Sequence, residues 1–226
     1  MKKEKCLPAG RQGFTLVEML VVMAITAIVG TMLMVIFTNT LRGSNKAQIL
    51  AVIKQNGQAV LDNMDKNIRG ADNVICPTPS NPSNTLVIVK NGCYTRYKFV
   101  DPTPDPNPTQ NGQIQQDNPQ PDPSTPCTQN SPAPTPVDIQ AFINNVCLDP
   151  MVNPTILTDT NSQTGVSIIK TKDSIGNDLP FFVPSNPSGF KKSVTIQFAL
   201  KPGVDVPAAI SDQIDPVTFQ TTIELR

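Results

Sequence analysis

The stretch RQGFTLVEMLVVMAITAIVGTMLMVIF, Arg11 to Phe37, decides how the rest of the chain is read. From Phe14 to Phe37 the one ionisable side chain is Glu18. As a helix, those residues would extend roughly 36 Å at 1.5 Å per residue, more than the hydrocarbon core of a bilayer at about 30 Å. The run can therefore span a membrane. A carboxylate inside such a helix costs on the order of 2.5–3.5 kcal/mol on insertion scales, so it needs a functional reason and a partner. A plain signal anchor accounts for the apolar run, as does a cleaved secretory signal with small residues at Ala24-Ile25-Thr26-Ala27. Neither accounts for Glu18.

Upstream, Lys2, Lys3, Lys5 and Arg11 face Glu4 alone. A basic patch directly before an apolar run stays on the cytoplasmic side, which sends the remainder of the chain outward; Arg42, Lys46 and Lys54 beyond the run make this a bias of charge and not a proof. The sequence Gly13-Phe14-Thr15-Leu16-Val17-Glu18, placed after a short basic leader, resembles the processing site of type IV prepilins and of the pseudopilins of type II secretion systems. The resemblance covers the leader and the first helix. It implies a membrane-embedded prepilin peptidase that cuts after Gly13 and methylates the new amino terminus at Phe14. It also implies that Glu18 neutralises the terminal amine of a neighbouring subunit during filament assembly. A subunit one step out of register would bury an unpaired charge, so the acid sets register as well as holding subunits together.

Beyond Thr38 the sequence turns polar, yet Leu50, Ile53, Gly57, Val60, Met64, Ile68 and Ala71 recur at steps of three and four. This pattern predicts that the helix continues to about Gly70 with one apolar face for a sheet; Gly57 is read as a weakness against coiled-coil pairing. Gly30 is where the resemblance places a loosening of the helix during assembly. Downstream, Leu86–Lys90 and Tyr94–Val100 flank Asn91-Gly92, the dipeptide of a type I′ hairpin. Val137–Leu148 reads as a short helix or strand, and Thr164–Lys170, Ser193–Leu200 and Val217–Leu225 read as strands. The expected fold is α+β and pilin-like: a long N-terminal helix, transmembrane in its first half and amphipathic in its second, packed against a C-terminal antiparallel sheet. The expected organisation is a leader over 1–13, a transmembrane half over 14–37, an amphipathic half over 38–75, and an extracytoplasmic β-rich domain over 76–226.

Residues 101–136 contain 11 prolines in 36 positions and almost nothing hydrophobic, so no packed element is expected there. The stretch reads as a tolerated insertion or as a partner-binding arm. Of five cysteines, Cys6 falls in the leader; its removal leaves Cys76, Cys93, Cys127 and Cys147, an even four in an oxidising compartment. Proximity alone favours Cys76 with Cys93 and Cys127 with Cys147, each bridge contributing roughly 3 kcal/mol through loop entropy.

The chain has no histidine, no Cys-x-x-Cys and no Gly-rich phosphate loop, so zinc chemistry, histidine triads and nucleotide hydrolysis lack their parts. No enzyme activity, cofactor or metal is expected. Asp149, Asp159, Asp173 and Asp178 match no EF-hand spacing and read as solvated loop acids, although some pseudopilins bind calcium. With 18 basic and 18 acidic side chains there is no electrostatic footprint for nucleic acid.

The expected function is that of a minor pilin or pseudopilin, a filament subunit in the bacterial cytoplasmic (inner) membrane with its N-terminus inside. Its helix, hairpin and late strands are most similar to the J-type minor pseudopilins. Expected partners are the membrane, the prepilin peptidase, other pilin or pseudopilin subunits, and the assembly platform with its ATPase. A filament-tip binding module (an adhesin, or a receptor for secretion substrate or DNA) and a plain membrane-anchored protein are the alternatives.

Overall fold

The run of apolar and helix-favouring residues after Thr15 forms one helix, α1 (Leu16–Arg69), unbroken through Gly30 and Gly43 in the computed structural model. The structure describes residues 15–78, 83–102, 109–120, 142–143, 145–189 and 191–225. Gly13, Phe14, Cys6, Cys127 and most of the proline-rich stretch lie outside these. α1 stops where the sequence pattern places its end: Lys66 and Arg69 lie in the last turn, where cations suit the helix dipole, and Gly70 follows in a turn. The chain divides into two units between Asn45 and Lys46.

In the first unit every helical residue from Leu16 to Phe37 is exposed, so among the described residues nothing covers its apolar surface. The segment is long and apolar enough to cross a membrane. Its few hydroxyls bond inward along the helix, Thr26 to the Val22 carbonyl, Thr31 to that of Ile28, and Thr40 to that of Ile36. With Thr38 bonded likewise to the Met34 carbonyl, every side-chain hydroxyl between Leu16 and Thr40 is satisfied by the helix itself, as a segment able to enter hydrocarbon requires.

Among the described residues, the second unit carries nine strands in two antiparallel sheets. The first runs β1 (Asn73–Cys76), β2 (Thr85–Lys90), β3 (Cys93–Val100), β4 (Gln113–Asp117) and β5 (Thr155–Ile156), each bonded to the next. The β2–β3 turn is of the expected type, with Asn91 at φ 49° and Gly92 at φ 78°. In the second sheet β8 (Ser193–Pro202) is central. It pairs on one side with β6 (Val166–Ile169) and β7 (Phe182–Ser185) in tandem, and on the other with β9 (Val217–Glu224). A short helix, α2 (Ala208–Ser211), precedes β9. This is the α+β, pilin-like order of a long N-terminal helix followed by antiparallel sheets.

One core serves both sheets. Ile53, Val60, Met64 and Ile68 of α1 meet Leu86 and Ile88 of β2, Tyr97 and Phe99 of β3, Ile114 of β4, and Ile196, Phe198 and Leu200 of β8. The predicted stripe is thus the buried face of the helix, with Gly57 among its buried positions. On the opposite face of the first sheet, Cys76, Val87 and Tyr94 pack with Val146 as a second, smaller cluster. Residues near 146 therefore form an outer layer over that sheet.

Two expectations need correction. The stretch 101–136 contains β4, whose Ile114 is fully buried and whose Asp117 is buried as well, so part of it is a packed element. One apolar residue flanked by glutamines gives no strand pattern by itself; what places the segment is its pairing with β3 and the buried ion pair it supplies. The favoured disulfide pairing is also overturned, because Cys76 is bonded to Cys147. Cys76 pairs beside Val87 on β2, while Cys93 on β3 pairs with Lys90. Cys76 and Cys93 are therefore two strands apart, roughly 10 Å, and also offset by three residues along the strands, roughly another 10 Å. A disulfide needs Cα atoms within about 7 Å. Nearness in sequence is undone by the meander.

Candidate functional site

Glu18 stands in the first turn of α1. The helix is capped there by Thr15, whose Oγ1 accepts the Glu18 backbone N–H at 3.2 Å. Thr-x-x-Glu is the pattern of a capping box, which the sequence reading did not credit. The cap, two residues after Gly13, fixes the start of the helix at Leu16. It uses the backbone of Glu18 and leaves the exposed carboxylate beside helical N–H groups that favour negative charge. Around it Leu16, Val17, Met19 and Leu20 are all exposed. The arrangement is a single acid on an apolar helical surface, with no ion-pair partner among the described residues.

In the second unit, three contacts hold the lower half of α1 to the sheets. Gly57 opens a notch for the ring of Phe219 on β9. Tyr97 of β3, fully buried, accepts a hydrogen bond from Asn67 Nδ2 at 2.6 Å and donates to Asn63 Oδ1 at 3.2 Å. Burial pushes the phenol up to about 12, opposed by the Asn67 hydrogen bond. Asn56 Oδ1 accepts the N–H of Asp159, tying the helix to the loop before β6. The sequence reading identified the apolar stripe but none of these polar ties.

The outer layer is held by Arg96. Its guanidinium is 1% exposed and forks onto Asp117 through Nε at 2.9 Å and Nη2 at 2.6 Å. Nη1 donates to the carbonyls of Val146 and Asp149, and Nη2 to that of Pro150. Asp117 in turn accepts the Val152 N–H. All five guanidinium donors are used, which is what a buried arginine requires. The Cys76–Cys147 disulfide pins the same segment, so two independent restraints hold residues 146–152 on the sheet. Leu148 and Val152 point out from that base, 82% and 71% exposed. Cys93 is likewise disulfide-bonded; since Cys76 and Cys147 take each other, its partner lies outside the described residues.

The loop acids do not converge. Among the described residues, no three metal-ligating side chains come together. Asp173 instead organises its own turn, accepting the N–H groups of Asn177 and Ile175 and the Asn177 side chain; the backbone bond from Asn177 does most to hold its pKa below the usual value. Asp159 caps Asn161 in the same way.

Compared with known proteins, residues 8–34 match the prokaryotic N-terminal methylation motif. Neither a curated protein nor a solved structure matches the chain. The motif is that of pilin-type precursors processed by prepilin peptidase, and its matched span includes Gly13, the Thr15 cap, Glu18 and most of the exposed apolar helix.

Proposed function

We propose that the chain is a minor pilin or pseudopilin, cut after Gly13, methylated at Phe14, and built into a short filament through its N-terminal helix. The observation that carries this reading is the coincidence of the methylation motif with a helix that is capped by Thr15, exposes Glu18, and among the described residues has no partner for its apolar surface up to Phe37. A helix apolar all round belongs in lipid or against other helices, and a filament core offers the second environment after the first. Residues 14–37 then lie in the inner membrane before assembly, with the N-terminus cytoplasmic and residues 76–226 outside. Glu18 receives the methylated amine of the next subunit. Prepilin peptidase, neighbouring pilin or pseudopilin subunits and the assembly platform are the partners of this reading, and the J-type minor pseudopilin is its nearest functional class.

The outer layer favours a binding role at the same filament. What supports it is a segment clamped by Arg96 and a disulfide that nonetheless holds Leu148 and Val152 out to solvent.

Co-expression with a prepilin peptidase, followed by intact mass and N-terminal sequencing, tests the processing step. The expected product begins at a singly methylated Phe14. A chain retaining its first thirteen residues, or one beginning near Ala27, overturns the reading.

A further inference from the structure

The chain contains three Asn-Gly steps, Asn56-Gly57, Asn91-Gly92 and Asn111-Gly112. Asn-Gly is the dipeptide in which the following backbone nitrogen most easily reaches the asparagine carboxamide, because glycine has no Cβ to obstruct it. The fold treats the three differently. Asn56 lies within α1, and its carboxamide is engaged at both ends, Nδ2 to the Val52 carbonyl at 3.0 Å and Oδ1 to the Asp159 N–H at 2.9 Å. Asn111 is 7% exposed. Its Nδ2 donates to the carbonyls of Thr160 and Asn161, its Oδ1 accepts the Val204 N–H, and the attacking nitrogen, that of Gly112, is bonded to Ser167 Oγ at 2.9 Å.

Asn91 has none of this protection. It sits exposed at the tip of the β2–β3 hairpin at φ 49°, and nothing stands within 4 Å of where a Cβ on Gly92 would be. Among the described residues, neither the Asn91 carboxamide nor the Gly92 N–H has a hydrogen-bond partner. Only the backbone N–H of Asn91 is held, by Asp72 Oδ2 at 2.6 Å.

We propose that Asn91 is a site of spontaneous deamidation, singled out by the fold from three chemically equivalent steps. The Gly92 nitrogen bonds to Asn91 Cγ as the side-chain amide leaves as ammonia. Water then opens the resulting succinimide at one of its two carbonyls, with no oxidant or cofactor involved. Opening at one carbonyl gives an ordinary aspartyl residue, and Asp-Gly still suits a type I′ turn, but a second carboxylate now stands beside Asp72. Opening at the other inserts a side-chain carbon into the main chain of a two-residue turn, which disturbs the Lys90↔Cys93 pairing that the turn sets. Either product makes a neutral hairpin tip anionic, so the charge of the chain reports its age.

The test uses the full chain, disulfides intact, incubated in detergent at neutral and mildly alkaline pH and followed by peptide mass mapping. The expected result is a gain of one mass unit confined to the peptide spanning Asn91, faster than at Asn56 or Asn111 by roughly a hundredfold or more, since those two react only when the structure opens. In denaturant the three steps should convert at comparable rates. Asn91→Gly, which keeps a turn-compatible pair, should abolish the folded-state signal. An unmodified Asn91 in folded protein under conditions that convert it in denaturant, or folded-state conversion of Asn56 or Asn111 at the same rate, overturns the proposal.

Discussion

Phe219 occupies the space that a side chain on Gly57 would need: a Cβ there would overlap the far edge of the ring. The ring cannot easily retreat. It stacks on Phe198 at 5.2 Å between centroids, Phe198 stacks on Phe181, and Phe181 on Phe99. Four aromatic side chains from β9, β8, the residue before β7, and β3 thus form one column that ends against α1.

Gly57→Ala should therefore destabilise residues 46–226. Alanine in a helix interior is favoured over glycine by up to about 1 kcal/mol. Overpacking a filled core costs roughly 1–3 kcal/mol, so the clash decides the sign. Urea unfolding of the full chain in detergent measures it. In a Phe219→Ala background the same Gly57→Ala change should turn stabilising, and an equal cost in both backgrounds would place the strain elsewhere.

Removing Arg96 should be among the most damaging single changes available. Arg96→Met leaves Asp117 buried and unpaired, at roughly 3–5 kcal/mol. Arg96→Lys should rescue little, because one ammonium cannot serve a forked carboxylate and three carbonyls. Arg96→Met combined with Asp117→Leu removes the orphaned charge yet should stay below wild type, since the Val146, Asp149 and Pro150 carbonyls still lose their donor. Unfolding midpoints rank the three variants, and full recovery in the double variant would show that the carbonyls find other partners.

These two sites mark where sequence stops being informative. The α1 stripe and the Asn91-Gly92 hairpin were legible because each is local: a period of three to four residues, and a dipeptide with one favoured turn. Gly57 was seen but misjudged as a weak point, because its purpose lies 162 residues away in Phe219. β4 and the Cys76–Cys147 bond were not legible either. β4 contributes one apolar side chain, and its place depends on Asp117 reaching an arginine on a neighbouring strand. The disulfide joins cysteines 71 residues apart in sequence, beside a segment whose carbonyls a buried arginine holds on the sheet, and neither contact is visible in local sequence. Glu18 was singled out for its charge, while its part in the Thr15 cap was overlooked although Thr-x-x-Glu is written in the sequence.

Tyr97 gives the second unit an alkaline limit. Its phenol, ordinarily titrating near 10, is pushed up to about 12 by burial. Between those values the unfolded chain has released the proton and the folded chain keeps it, so stability falls as pH rises, by about 1.4 kcal/mol per unit and roughly 2–3 kcal/mol in total. Below pH 10 both states are protonated and the contribution is fully present. Tyr97→Phe should be less stable at neutral pH by about 1–2 kcal/mol, because Asn63 and Asn67 lose a buried partner. It should also lose less stability above pH 10, so that the two curves converge. Tyr94 shifts in the same direction through its own burial and is common to both proteins, so the difference isolates Tyr97. Parallel curves would rule out a buried neutral phenol at position 97.

Glu18→Gln separates the carboxylate from the cap. Thr15 bonds the backbone of residue 18, so glutamine leaves the helix start unchanged, whereas Thr15→Ala should weaken it by about 1 kcal/mol. In the proposed filament, glutamine cannot neutralise the amine of the next subunit, and that amine is left in an apolar contact at a cost of several kcal/mol. Processing and membrane insertion should proceed normally, since a neutral side chain enters the bilayer more readily than a charged one. Incorporation into filaments should fall by tenfold or more, as a penalty above about 1.4 kcal/mol implies at equilibrium. Cross-linking or co-purification with the other subunits reads that out. If Glu18→Gln assembles as well as wild type while Thr15→Ala does not, the residue serves to start a helix and the charge pairing is not what builds the filament.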